Sequence, residues 1–144
     1  MNLILAVYVV TGFVAYPVQE PKENPKIAIR RVLDQQVVAW NRGDINKFME
    51  GYWKSDSILF IGSEIATGWE STLARYKRSY PDKAAMGILK FEILRIDFIS
   101  SDSYLVTGKY FLTRAKDSPS GIFTLLFKLK NEKWVVVYDH TSKK

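Results

Sequence analysis

Aspartate and histidine stand side by side near the end of the chain, as Asp139-His140. An imidazole titrating near neutrality can serve as a general base when a carboxylate orients its ring. Neighbours in an extended strand point to opposite faces, so only one of the two can enter a given cavity, and spacing does not say which. Asp139 and His140 are therefore both candidate catalytic residues. The alternative for His140 is a strand-end side chain bonded to backbone or packed on a partner. A second group is aromatic: Trp40, Trp53, Trp69, Tyr76 and Tyr80. Tyr76 and Tyr80 are four apart and share one face if the segment is helical. Such rings can line a small apolar cavity whose few hydroxyls orient a ligand, although core packing is their commoner task. With His140 they form the candidate ligand-binding wall. Arg75, Lys77, Arg78 and Lys83 are the densest basic cluster. They read as a solvated helix face, with attraction of an anionic ligand or partner surface as the functional alternative.

Composition removes much other chemistry. There is no cysteine, which excludes thiol nucleophiles, disulfides and thiolate metal sites. A single histidine excludes a multi-histidine metal centre. The reading implies neither a metal nor a cofactor. Glycines are isolated and no serine lies in a nucleophile motif, so phosphate loops and serine triads are not indicated. With 21 basic and 15 acidic residues the net charge is +6. The positive residues are scattered and interrupted by Glu92, Asp97 and Asp102, unlike the continuous basic stripe that nucleic acid requires, and no nucleic-acid partner is expected. At 144 residues, 47% hydrophobic and 25% charged, the chain has the composition of one globular domain.

The elements that must position these residues follow from periodicity. Asn24-Pro25 opens a helix, Asn as cap and Pro at its first position, with Ile29, Val32, Leu33, Gln36, Val37 and Trp40 at helical spacing and Gly43 as the stop. Asp44 caps a shorter helix whose apolar face is Ile45, Phe48, Met49 and Tyr52. A strand is expected at Ser57–Ile61. Thr67 and Glu70 read as a capping box opening a third helix through Tyr80, ended by Pro81. From Ile88 the period becomes two, predicting strands at Ile88–Ile99, Tyr104–Arg114, Gly121–Lys130 and Trp134–Thr141. In the first of these the apolar alternation switches between Ile93 and Leu94, where a β-bulge would restore one inward face. Residues 25–144 thus form one α+β domain.

Residues 1–24 differ. Leu3–Tyr16 carries no charge and is shorter than the ~20 residues of a membrane span, so it fits the core of a secretory signal. Asn2 stands where a basic residue is usual, and a retained, buried first strand or helix is the alternative. Pro17–Glu23 reads as a linker. The expected location is periplasmic or secreted if the leader is removed, and cytoplasmic otherwise, with no membrane partner beyond the leader.

The order of several short runs resembles the nuclear transport factor 2-like superfamily. These are Ala39-Trp40-Asn41-Arg42-Gly43-Asp44, Tyr52-Trp53, Ser55-Asp56-Ser57, Gly62-Ser63 and Thr67-Gly68-Trp69, then Gly121–Leu126, Lys133–Val137 and Asp139–Ser142. The resemblance runs from about Lys26 to Ser142 and is nearest to small bacterial SnoaL-like proteins, often exported. It implies a cystatin-like α+β roll: a cone in which three N-terminal helices pack on a strongly curved antiparallel sheet around a pocket. It also implies a homodimer through the outer sheet face. Since the superfamily contains isomerases, cyclases, dehydratases, transport adaptors and association domains, fold does not name function.

The isomerase-type site of that superfamily needs a carboxylate base at the end of the first strand and a polarising hydroxyl opposite. Alignment of Asp56–Gly62 puts Ile61 where the base belongs, and the first helix offers Gln35, Gln36 and Trp40 in place of tyrosine. The leading expectation is an exported, homodimeric pocket protein binding a small, largely apolar molecule. One alternative is a cyclase, dehydratase or isomerase using His140 or Asp139 with a tyrosine hydroxyl. Another is an interaction module pairing through Tyr104–Phe111 and Phe123–Leu129 around a filled interior.

Overall fold

A computed structural model describes residues 23–144; the expected leader, and all but the last two residues of the segment 1–24, lie outside the described residues. Helix α1 (Pro25–Asn41) begins as its sequence dictates. The Asn24 side chain accepts the Lys26 N–H at 2.9 Å and Pro25 fills the first turn, where no N–H partner is needed. It ends in a Schellman turn: Gly43, at φ 82°, donates to Trp40 and Asp44 donates to Ala39. Asp44 then caps α2 (Ile45–Met49) by accepting the Lys47 N–H at 2.8 Å.

Strands β1 (Leu59–Ile61) and β2 (Ile65–Thr67) form a tight antiparallel pair. Helices α3 (Trp69–Ser79) and α4 (Lys83–Met86) follow, and then the long strands β3 (Ile88–Ser100), β4 (Ser103–Thr113), β5 (Ser120–Lys130) and β6 (Lys133–Lys143). The last four strands pair in succession as the expected meander. The sheet order is β2-β1-β6-β5-β4-β3, and β1 runs parallel to β6, so the sheet is mixed and not wholly antiparallel. Among the described residues there are four helices where three were expected, because α4 resumes after Pro81 under an Asp82 cap. The anticipated Thr67 cap is also corrected: Thr67 belongs to β2, and α3 starts after Gly68 with no side-chain cap.

The sheet bends at irregularities in two of its strands. In β3 the register shifts between Ile93 and Arg95, where the apolar alternation had switched. In β6 it shifts at Val137, since Leu126 opposes Tyr138 while Phe127 opposes Val136. A bulge inserts one residue, increases twist and reverses which face the following residues occupy. The helices lie on the inner face, where Ile29, Leu33, Met49, Val106, Phe127 and Val136 are essentially inaccessible.

Candidate functional site

Between the helices and the inner sheet face the packing leaves a cavity of about 290 Å³. Part of its wall is apolar, from Leu89, Phe91, Leu112, Phe123 and Leu125 on the sheet and Phe60 on β1. Helices α1 and α2 add Trp40 and Phe48, α3 adds Tyr76, and Tyr80 follows at its C-terminal cap. Gly62, Ser63, Ser79 and Lys143 line it where the chain is more open to solvent.

The polar centre of the cavity is Asp139, which is only 3% exposed. Its Oδ2 accepts a hydrogen bond from the Tyr52 hydroxyl at 2.5 Å, and its Oδ1 accepts from Thr141 Oγ1 at 2.7 Å. The Tyr76 hydroxyl stands 3.2 Å from that of Tyr52. Two features of the backbone assemble this group. The Val137 bulge turns Asp139 inward, beside Leu125 on β5 and Phe60 on β1. The chain leaving α2 then pairs with β6 next to that bulge: Val136 N–H donates to Gly51 O, and Trp53 N–H donates to Val136 O, each at 2.9 Å. Tyr52 is thereby fixed over Asp139.

Electrostatics follow from burial. Desolvation pushes the Asp139 carboxyl above the usual aspartate range, although the bonds from Tyr52 and Thr141 and the charge of Arg75 oppose it. Burial, and then the neighbouring Asp139 charge, push the Tyr52 hydroxyl well above the usual tyrosine range, and Tyr76 rises for the same reasons. Both phenols therefore stay protonated donors at physiological pH. The arrangement can hold a ligand oxygen by hydrogen bonds, or exchange a proton through Asp139.

Of the residues expected at the site, Asp139, Trp40, Tyr76 and Tyr80 line the cavity. The indole of Trp40 donates to Met86 O at 3.1 Å while its ring packs edge-on against Phe48 and Tyr80. Three other expected residues stand outside it. His140 is exposed on the opposite sheet face, paired with Ile61 and Thr124, because it follows the inward Asp139 in an extended strand. Trp53 is half-buried, does not line the cavity, and lies under Lys130, whose Nζ is 4.6 Å from the ring centroid. Trp69 ties α3 to α2 through a 3.0 Å bond from its indole to Met49 O. Ile61 likewise faces outward, and its inward neighbour Phe60 is no base either.

Tyr52 and Thr141 are not among the site residues the sequence singles out, and Arg75 is named there only as part of a basic cluster. Tyr52 lay on the apolar face of the second helix and was indistinguishable from core. Arg75 belongs to the cluster that reads as a solvated face, with attraction of an anionic ligand or partner as the alternative; its guanidinium lies against Phe60, 4.0 Å from the ring centroid, and lines the cavity. The rest of that cluster does lie at the surface: Arg78 pairs with Glu64 at 2.7 Å and Lys83 bonds to Asn41 O. Among the described residues no group of three or more histidine or carboxylate side chains could hold a metal ion.

No protein-family model matches the sequence, and no curated protein matches it significantly. Solved structures do. A protein of unknown function from Shewanella oneidensis MR-1, described as NTF-2 like, is 42% identical, with a TM-score of 0.80 over 83% of this chain and 99% of that one. A cystatin-like domain of unknown function from Nostoc punctiforme is 18% identical, with a TM-score of 0.71 over 83% of this chain and 76% of that one. A ketosteroid isomerase-like protein from Erwinia carotovora atroseptica is 19% identical, with a TM-score of 0.67 over 81% of this chain and 94% of that one. The last two similarities concern the fold alone.

Proposed function

The chain belongs to the nuclear transport factor 2-like family, and we propose that within it this protein takes up a small, largely apolar molecule in the cone between helices and sheet. The carrying observation is the cavity of about 290 Å³, with apolar walls and one buried polar centre at Asp139, Tyr52 and Tyr76. Burial of an apolar ligand surface supplies affinity at ~25 cal/mol per Å², and the hydroxyls select orientation. Native mass spectrometry of the purified protein tests this. A retained small molecule that is lost on filling the cavity with Leu125→Trp supports the reading; no retained or added small molecule binding the wild type overturns it.

The same proposal includes a homodimer and export. Supporting the dimer, Phe111, Ile122 and Tyr138 are exposed on the outer sheet face, which is more apolar than a strand surface meant only for water. Sedimentation of the wild type and Ile122→Lys checks it: a dimer that dissociates in the variant is expected. Export rests on the uncharged Leu3–Tyr16 run, and N-terminal sequencing of protein recovered from periplasm and medium checks it.

A catalytic reading has one specific support. Asp139 is a buried carboxyl, raised above the usual aspartate range by desolvation and touched by two hydroxyls, which suits a general acid or base. If the protein is a cyclase, dehydratase or isomerase, Asp139→Asn removes turnover while retaining ligand, and His140→Ala removes neither. The cavity argues against the interaction module, whose interior would be filled.

A further inference from the structure

This inference rests on the pocket reading and adds what the bound molecule carries. Arg75 sits on α3 immediately before Tyr76, and its side chain is 13% exposed where that of Arg78 is 63% exposed. It lies over Phe60, with its Cζ 4.0 Å from the ring centroid, and 5.5 Å from that of Tyr76. Its Nε is buried and has no hydrogen-bond partner. Glu64 Oε1 is 3.6 Å from that nitrogen, beyond hydrogen-bond reach, and the same oxygen already accepts Arg78 at 2.7 Å. Gly62 keeps the space around the guanidinium clear, since a Cβ there would stand 3.3 Å from Arg75 Nη2 and 2.8 Å from the Phe60 ring.

A buried guanidinium N–H without an acceptor is unfavourable; Nε has none, and the Glu64 carboxylate 3.6 Å away supplies charge but no hydrogen bond. Asp139 is the carboxyl that lines the cavity, and its two oxygens are engaged by Tyr52 and Thr141. Lys143 adds a second positive charge at the more exposed end. The cavity therefore presents an excess of positive charge, a planar fork of donors that matches a carboxylate in two-point contact, and an apolar floor of Phe91, Phe123 and Leu125.

The geometry points to a small organic monocarboxylate as the ligand, its carboxylate on Arg75 and its apolar body against Phe91, Phe123 and Leu125. Size narrows the class. A volume of about 290 Å³ equals roughly ten waters at ~30 Å³ each, which suits a short aryl or branched acid.

Calorimetric titration of the full chain with 3-phenylpropionate and 3-phenylpropanol, which share a carbon skeleton, tests this. The acid should bind the wild type about tenfold or more tightly than the alcohol. Arg75→Met and Arg75→Gln should bring the acid to the alcohol's affinity and leave the alcohol unchanged. Both variants should melt close to the wild type, because loss of the Phe60 contact and of the loose Glu64 ion pair is offset by removal of the buried Nε that lacks an acceptor. Equal affinity for acid and alcohol in the wild type, or a preference that survives in both variants, overturns this inference and leaves the pocket reading standing. Binding of neither compound also overturns it; the pocket reading falls with it only if native mass spectrometry finds no other small molecule.

Discussion

Tyr52→Phe removes one hydroxyl and preserves the ring. That hydroxyl donates to Asp139 Oδ2 at 2.5 Å, inside a site where Asp139 is 3% exposed. Oδ1 keeps its bond from Thr141, and the Tyr76 hydroxyl loses a neighbour at 3.2 Å. A buried acceptor left without its donor costs about 1–3 kcal/mol, and ~2 kcal/mol is expected at neutral pH. With an unfolding entropy near 2.1 cal/mol/K per residue, that loss lowers Tm by about 8 °C for a folded region the size of residues 23–144. The pH dependence is diagnostic. Burial holds the folded pKa of Asp139 above its unfolded value, so ionisation erodes stability as pH rises from about 4 through the folded pKa. The Tyr52 bond favours the carboxylate and opposes that erosion. Its removal raises the folded pKa further, and the deficit of Tyr52→Phe should widen from ~1 kcal/mol near pH 4 to its full size at neutrality. Thermal melts of the wild type, Tyr52→Phe, Asp139→Asn and the double variant between pH 4 and 8 measure this. A Tm loss under about 2 °C at neutral pH, or a deficit that narrows with rising pH, would refute the reasoning.

Asp139→Asn keeps a side-chain oxygen for Tyr52 but cannot ionise. Its urea midpoint should gain on that of the wild type as pH rises above about 4, by ~1.4 kcal/mol for each unit that burial raises the carboxyl; parallel pH profiles would contradict this. Gly121→Ala places a Cβ 1.8 Å from Ser142 O, a backbone atom of the paired strand, so β5 and β6 must part; about 3 kcal/mol or more should be lost in chemical denaturation. His140→Ala, on the outer face, should leave ligand retention in native mass spectrometry unchanged, and loss of ligand would return His140 to the site.

Legibility along the chain depended on how local each signal was. The Asn24-Pro25 start, the Gly43 stop and the Asp44 cap are made by residues adjacent in sequence, and each appears with the bonds its residue types dictate. The break in alternation at Ile93-Leu94 was equally local and marks a true register shift. Strand β2 was missed because three residues carry no readable alternation, and α4 because Pro81 masked a new cap at Asp82. Trp40, Tyr76 and Tyr80 could be placed on buried helix faces, but Trp53 and Trp69 bear the same apolar signature and pack elsewhere.

The amino-acid order alone determined an α+β fold, the ends of its first two helices, the four-strand meander and a chemistry without thiols or histidine clusters. It left open which of Asp139 and His140 turns inward. Unbroken alternation from the buried Trp134 and Val136 would bring His140 in, but the bulge at Val137 reverses the faces and brings Asp139 in instead. That extra residue is set by pairing with β5 and by the bridge from Tyr52, both distant along the chain. A cavity, likewise, is a volume that remote segments fail to fill, and only their three-dimensional packing decides its walls and the charge of Arg75 within them.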